Sequence, residues 1–330
     1  MGRLNVRNNA LSRSRDNLSE SHIIDIGQRP RRGKKPMVRG DDLYSSLIEI
    51  CNKDIYKKGQ KSAIELTEKI KRHLPSFIAS LKMDREVMKK VVFGEEPELY
   101  LPYHSVNVAA LGVGVAQGMG YSDDQLQQVA LAAFMHDVGM KEMPSEIWTK
   151  KGALTLAERD AIRRHPLSGY ELLKPIDEVA KVVVQEHERM NGTGYPHGLA
   201  GGDIHEFAYI VGIADIYNSL THIRPYREKR YSPFEAIREI VAKEKGRFPS
   251  SVLKSLVASF LVPVGSRVEL NSGEKAEAVE GNKASLMRPL VKITHDKDGR
   301  EYDKPRILDL DRDQRFFIVN YNLASKAGLD

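Results

Sequence analysis

The chain has one cysteine in 330 residues, Cys51, so no internal disulfide can form and a reducing, cytoplasmic setting is expected. Cys51 lies in an apolar helical pattern and reads as a buried core thiol. No run approaches the ~18 apolar residues that a membrane helix needs, and the first residues lack the apolar core of a signal peptide. The body also lacks a basic excess. Residues 1–40 hold ten Lys/Arg and three Asp/Glu, a local balance of +7, whereas the remainder has 41 basic and 42 acidic residues, a balance of −1. The formal charge of +6 therefore belongs to one Ser-, Asn- and Arg-rich stretch, which reads as a disordered, solvated tail. Such a tail suits anionic lipid, nucleic acid or an acidic partner, but the body gives no ground for specific nucleic-acid binding.

The apolar content of 41% and charged content of 29% fit a soluble globular chain of more than one unit. Apolar residues recur at helical spacing over 41–93. Gly59 breaks this run, and Pro75 is expected to kink or end a second one. This segment, 41–95, reads as a helical cap with no chemical cluster. From Pro102 a helix of small apolar residues follows. Gly112-Val113-Gly114 is not a dinucleotide loop, because no strand precedes it and the third glycine is misplaced; small residues here suit close helix packing. Ser122 and the Thr155/Glu158 pair mark helix starts. After Val262, short β-prone runs (267–270, 290–294, 306–308, 316–319) alternate with turns at Asn271-Ser272-Gly273 and Asp296–Gly299, which predicts a small antiparallel β-subdomain over 262–330.

The chemistry collects around Val183–Pro196. An apolar helical run ends in Glu186-His187-Glu188, and Asn191-Gly192-Thr193-Gly194-Tyr195-Pro196 then forces a turn. His104, His136-Asp137, His165 and Asp215 sit at the ends of, or inside, otherwise apolar helices. An unpaired buried Asp is costly, so Asp137 and Asp215 call for a cation. His104, His136, Asp137, His165, Glu186, His187 and Asp215 have the composition of a two-metal hydrolytic site. Two cations a few ångströms apart would hold a bridging water as hydroxide and neutralise phosphoryl charge. Imidazole mixed with carboxylate suits Fe, Mn, Co, Ni or Zn over Ca or Mg.

These segments resemble the HD-GYP family of metal-dependent phosphohydrolases, which act on the bacterial signalling messenger cyclic di-GMP. The resemblance covers about 98–262 and rests on His104–Ala109, His136-Asp137-Val138-Gly139, His165–Gly169, His187-Glu188-Arg189, Gly192–Leu199, Ile213–Tyr217 and Arg224-Pro225-Tyr226-Arg227. It implies a mainly α HD-type helical bundle over 96–261, behind an N-terminal helical cap. It also implies one metal on His104, His136, Asp137 and Asp215 and another on Asp137, His165, Glu186 and His187. Arg224 and Arg227 would face substrate phosphates. Gly194, Tyr195 and Pro196 would shape the rim and offer a surface to signalling partners, and a homodimer is compatible with it. The chain departs from the family at four points. Met140 stands where a phosphate-contacting lysine is usual, leaving Lys141 as the adjacent cation; Glu186 replaces a histidine; Asn191 and Asn218 replace aspartates. Tyr100 occupies the position of a third-metal carboxylate, so two metals are expected. The first reading is a cyclic di-GMP phosphodiesterase, with Asp137 and Lys141 as its catalytic groups. The alternative is a metal-binding cyclic di-GMP receptor with weak or no turnover.

Overall fold

The computed structural model describes residues 40–57, 62–94, 100–223, 230–282 and 285–321. The basic tail, Gly59, Arg224 and Arg227 lie outside the described residues.

Helix α5 (Tyr100–Gly118) is the axis of the molecule. It is buried from Leu101 to Val113, as its run of small apolar residues requires. Around it pack α6 (Asp123–Met135), α11 (Glu206–Thr221), α13 (Ser250–Phe260) and the N-terminal helices α1 (Gly40–Ile50) and α4 (Arg85–Phe93). Gly114 permits one of these approaches, since a Cβ there would lie 2.6 Å from the Phe260 ring. The glycine pair thus serves helix packing.

The N-terminal helices α1, α2 (Ala63–Lys71), α3 (Leu74–Met83) and α4 contribute to the same apolar core as α5 and α6. Phe77 of α3 meets Phe134 of α6 at 5.3 Å between ring centroids. Pro75 sits in the first turn of α3, where its missing N–H costs nothing, so the apolar run splits into two helices. Cys51 is buried in a π-helical turn after α1, and burial pushes its thiol well above the usual range.

Two capped starts orient the site-bearing segments. Ser122 and Gln125 close a capping box on α6. Thr155 and Glu158 do the same for α8 (Leu156–Ile162), with Lys150 paired to Glu158. Helices α9 (His165–Leu173) and α10 (Asp177–Gln185) follow, and α12 (Pro233–Glu244) lies between α11 and α13.

Five strands close the chain in one antiparallel sheet of order β4-β3-β2-β1-β5. They are β1 (Arg267–Leu270), β2 (Lys275–Glu280), β3 (Leu290–His295), β4 (Glu301–Asp309) and β5 (Ile318–Asn320). Both expected hairpin turns form, with Gly273 and Gly299 at positive φ. Strand β2 escaped the sequence reading because Lys-Ala-Glu-Ala-Val-Glu is poor in β-branched and aromatic residues; its inward positions, Ala276 and Ala278, are the buried ones. The sheet has its own small core and meets the helices through the Lys89–Glu277 ion pair at 2.5 Å and the stacked Phe234 and Tyr321 rings at 4.5 Å. Among the described residues no helix is long and apolar enough to cross a membrane.

Candidate metal centre

Helix α6 ends at His136, and the chain then tightens through Asp137 into a 3-10 turn, Val138–Glu142. This turn lies against the start of α9. A Cβ on Gly139 would sit 2.0 Å from the carbonyl oxygen of His165, so only glycine lets the two segments touch. His165 opens α9, His104 projects from the first turns of α5, and Asp215 lies in the middle of α11. Glu186 and His187 follow the last residue of α10.

Three of the four histidines are oriented by a hydrogen bond from Nδ1. His136 donates to the carbonyl of Ala133 at 2.7 Å, His165 to that of Ile162 at 2.7 Å, and His104 to Oδ1 of Asn218 at 2.6 Å. With a proton on Nδ1, each ring turns Nε2 inward. There His104 Nε2 and His136 Nε2 are 3.3 Å apart, and His165 Nε2 and His187 Nε2 are 3.2 Å apart. Two such nitrogens come this close with either a proton or a metal ion between them. Ligands at about 2.0–2.1 Å from one ion are spaced by ~3.0–3.4 Å, which matches.

Asp137 stands between the two histidine pairs. Its Oδ2 is 3.3 Å from His136 Nε2 and 3.6 Å from His104 Nε2, and its Oδ1 is 3.2 Å from His165 Nε2. Asp215 Oδ1 reaches His104 Nε2 at 3.1 Å. Glu186 is fully buried, and among the described residues neither carboxylate oxygen has a hydrogen-bond partner; His165 Nε2 lies 3.6 Å and His187 Nε2 3.8 Å from its Oε1. A buried carboxylate without a donor is among the costliest arrangements in a protein, and a cation relieves it. His104, His136 and Asp215 form one compact donor set, and His165, Glu186 and His187 another. The donors present thus fit two divalent ions.

The electrostatics carry the same demand for positive charge. Burial disfavours protonation of His136, but Glu186, Asp137 and Asp215 outweigh it and hold its imidazole up at about 10. His165 is shifted up against burial by Glu186 and Asp137. Burial would raise Asp137, yet His136, His165 and His104 together hold it far below the usual carboxylate range. His187 goes the other way: burial lowers it to about 4, leaving a neutral donor.

The remaining expected residues fall into distinct places. Tyr195 stacks on the His187 ring at 4.6 Å and 17°, followed by half-buried Pro196. Gly194 rests on the backbone of Glu188, where a Cβ would be 2.4 Å from its Cα. Met140 is buried in an apolar group with Leu101 and Met143, edged by Tyr56, Tyr100, Trp148 and Ile162. Lys141 is half-buried, and among the described residues no hydrogen bond or ion pair joins it to the cluster. Arg224 and Arg227 lie outside the described residues. Tyr100 stacks on His104, 5.5 Å between centroids, and brings no carboxylate.

Sequence reasoning missed the residues that hold the ligands. Glu188 looked metal-capable, but it is buried and accepts from the backbone N–H groups of His197 (2.7 Å), Gly198 (3.1 Å) and Leu199 (3.0 Å), so it pins the Gly-Tyr-Pro loop. Arg189 donates to the carbonyls of Glu186 (3.2 Å) and Glu188 (2.9 Å) and reaches Glu244 of α12 at 3.5 Å. Asn218 links His104 to a buried polar chain: it meets His222 at 3.0 Å, His222 meets Asn107 at 3.3 Å, and Tyr44 of α1 donates to Asn107. Only an acid next to a turn signalled Glu188; nothing local signalled the chain from Tyr44.

The HD domain family profile matches residues 63–252, more than half of the chain. The chain belongs to the HD domain family. A profile for a KOW domain associated with an HD domain matches residues 267–323, the β-sheet region. Among curated proteins, this HD domain chain is 34% identical to Cyclic di-GMP phosphodiesterase PA4108 of Pseudomonas aeruginosa over 64% of this chain and 52% of that one. It is 39% identical to the Cyclic di-GMP phosphodiesterase response regulator RpfG of Xanthomonas campestris, over 63% and 54%. It is 30% identical to the 3'3'-cGAMP-specific phosphodiesterase 3 of Vibrio cholerae, over 55% and 42%. The chain therefore spans about half the length of the curated relatives it matches. Bd1817, an HDG"Y"P protein from Bdellovibrio bacteriovorus, shares the fold with a TM-score of 0.56 at 20% identity, over 68% of this chain and 72% of that one. The HD-GYP resemblance read from the motifs stands.

Proposed function

We propose that this chain hydrolyses the phosphodiester bonds of a cyclic dinucleotide, cyclic di-GMP first, at a centre of two divalent ions. The observation that carries the reading is the Asp137 carboxylate, with one oxygen turned to the His104/His136 pair and the other to His165. His104, His136 and Asp215 with Asp137 Oδ2 would hold one ion, and His165, Glu186 and His187 with Asp137 Oδ1 the other. Two carboxylates and two imidazoles per ion favour Fe or Mn. Such ions supply Lewis acidity and an acidified water for attack at phosphorus. The chain's own residues do the rest. Asn218 and the carbonyls of Ala133 and Ile162 fix three imidazole tautomers, Asp137 sets the spacing of the halves, and the Glu188-pinned loop closes one side. Arg224, Arg227 and Lys141 are the proposed cations for substrate charge, and Tyr195 with Pro196 forms the rim at which a signalling partner would dock. The relatives named for cyclic di-GMP and 3'3'-cGAMP support a cyclic dinucleotide as the substrate.

A second reading is favoured by one observation. Met140 lies in an apolar cluster where the resemblance expects a phosphate-facing lysine, and one missing donor of this type costs ~10²–10³ in rate in comparable sites. In that reading the chain is a metal-loaded cyclic di-GMP receptor. The test is hydrolysis of cyclic di-GMP by protein purified anaerobically with Fe(II) or Mn(II), with metal assayed on the same sample. Turnover with two ions per chain is expected. Tight binding with two ions and no turnover selects the receptor, and absence of metal contradicts both.

A further inference from the structure

Arg163 stands at the rim of the cluster, and among the described residues it has no counter-charge. Arg163 caps the C-terminus of α8, two residues before His165. Its guanidinium lies over the Tyr195 ring, 4.7 Å from the centroid. The same ring stacks on the His187 imidazole at 4.6 Å, so the phenol lies between the cluster and this cation as a shared contact. Arg163 is exposed, and among the described residues no carboxylate pairs with it. Nearby, Arg189 holds the carbonyls of Glu186 and Glu188 together with Glu244, and Lys150 holds Glu158.

A guanidinium over an aromatic face keeps N–H donors free to grip an oxyanion, and the ring helps to fix its position before the ligand arrives. The ordering cost on binding is correspondingly reduced. A cyclic dinucleotide carries two anionic phosphates in one macrocycle, so when one is held at the histidine-carboxylate cluster the second must lie nearby. We infer that Arg163, on its Tyr195 platform, binds the second phosphate of the bound cyclic dinucleotide. This assignment rests on the cyclic-dinucleotide reading of the site, and it gives this chain an anion contact two residues before the His165 ligand.

The test is calorimetric titration of cyclic di-GMP into Mn-loaded wild type, Arg163→Ala and Arg163→Lys, at low and high salt, with metal content measured on each sample. Arg163→Ala is expected to weaken binding roughly tenfold or more. Arg163→Lys should recover part of that loss, since it restores the charge without the planar fork. The salt dependence of the affinity should be shallower in Arg163→Ala than in wild type. If wild type binds and Arg163→Ala binds equally well, the second-phosphate assignment is overturned and the function reading stands. If Arg163→Ala loses metal along with affinity, and Arg163→Lys does not recover the affinity, Arg163 supports the Tyr195–His187 stack and the assignment is likewise overturned. A wild-type chain that does not bind cyclic di-GMP overturns the function reading as well.

Discussion

The two donor sets of the centre are built in different ways. His104, His136 and Asp215 come from α5, α6 and α11, the long helices of the common core, and His104 and His136 are each fixed by one hydrogen bond. His165, Glu186 and His187 come from helix ends and a turn. That second half is held by contacts outside the ligand set: Glu188 on three loop amides, Arg189 on two carbonyls, Gly139 and Gly194 at close backbone approaches, and Tyr195 against His187. It also contains the donorless carboxylate of Glu186. A helix-borne site inherits its rigidity from core packing, whereas a turn-borne site depends on individual polar anchors.

The largest consequence of that contrast concerns Glu188. Glu188→Ala strands three backbone amides and is expected to cost about 2–4 kcal/mol of stability. It should drop the metal content from two ions toward one, because only the turn-borne half depends on the loop. Denaturant unfolding and elemental analysis check both; a variant that keeps two ions would erase the distinction between the halves.

Glu186 sharpens the comparison through a change of sign. In metal-free protein Glu186→Gln replaces a buried carboxylate that has no hydrogen-bond donor among the described residues and should raise Tm by about 2–4 °C. In Mn-loaded protein the same change removes a ligand and should lower Tm. Paired thermal scans with and without chelator measure the two shifts, and shifts of the same sign would show that Glu186 is not poised for a cation.

The smallest expected effect lies behind the helix-borne half. Burial lowers His222 to about 4 from an ordinary 6.5. The unfolded chain therefore binds a proton between pH 6.5 and 4 that the folded chain does not, and His222 makes stability fall as pH drops through that window. His187, also near 4, adds a second such proton in the metal-free state. Replacing His222 with Gln should flatten the pH dependence of unfolding in metal-free protein by one proton, and an unchanged slope would contradict the burial of a neutral His222.

The clustered donors were legible in the sequence as candidates because each is a polar side chain set in an apolar helical run, and their order along the chain resembles that of a known family. The helical bundle followed from periodicity, and the hairpin turns from Asn-Ser-Gly and Asp-Lys-Asp-Gly. What was not legible depends on distant contacts. Glu188 differs in role from Glu186, two residues away, only because three amides of the loop return to it. Tyr44, Asn107 and His222 are unremarkable where they stand in sequence and form a chain only in space. Met140 reads as a lost charge, but in the fold it completes an apolar group with Leu101 and Met143, so Lys141 does not simply take its place.

The central claim is that Asp137 joins the two halves. The most direct measurement is the metal content of wild type and Asp137→Ala after anaerobic reconstitution with Fe(II) or Mn(II), with circular dichroism confirming that the variant is folded. Two ions per wild-type chain and loss of both in the folded variant, with no remaining hydrolysis, is the predicted result. Metal retained in Asp137→Ala at wild-type stoichiometry would contradict it.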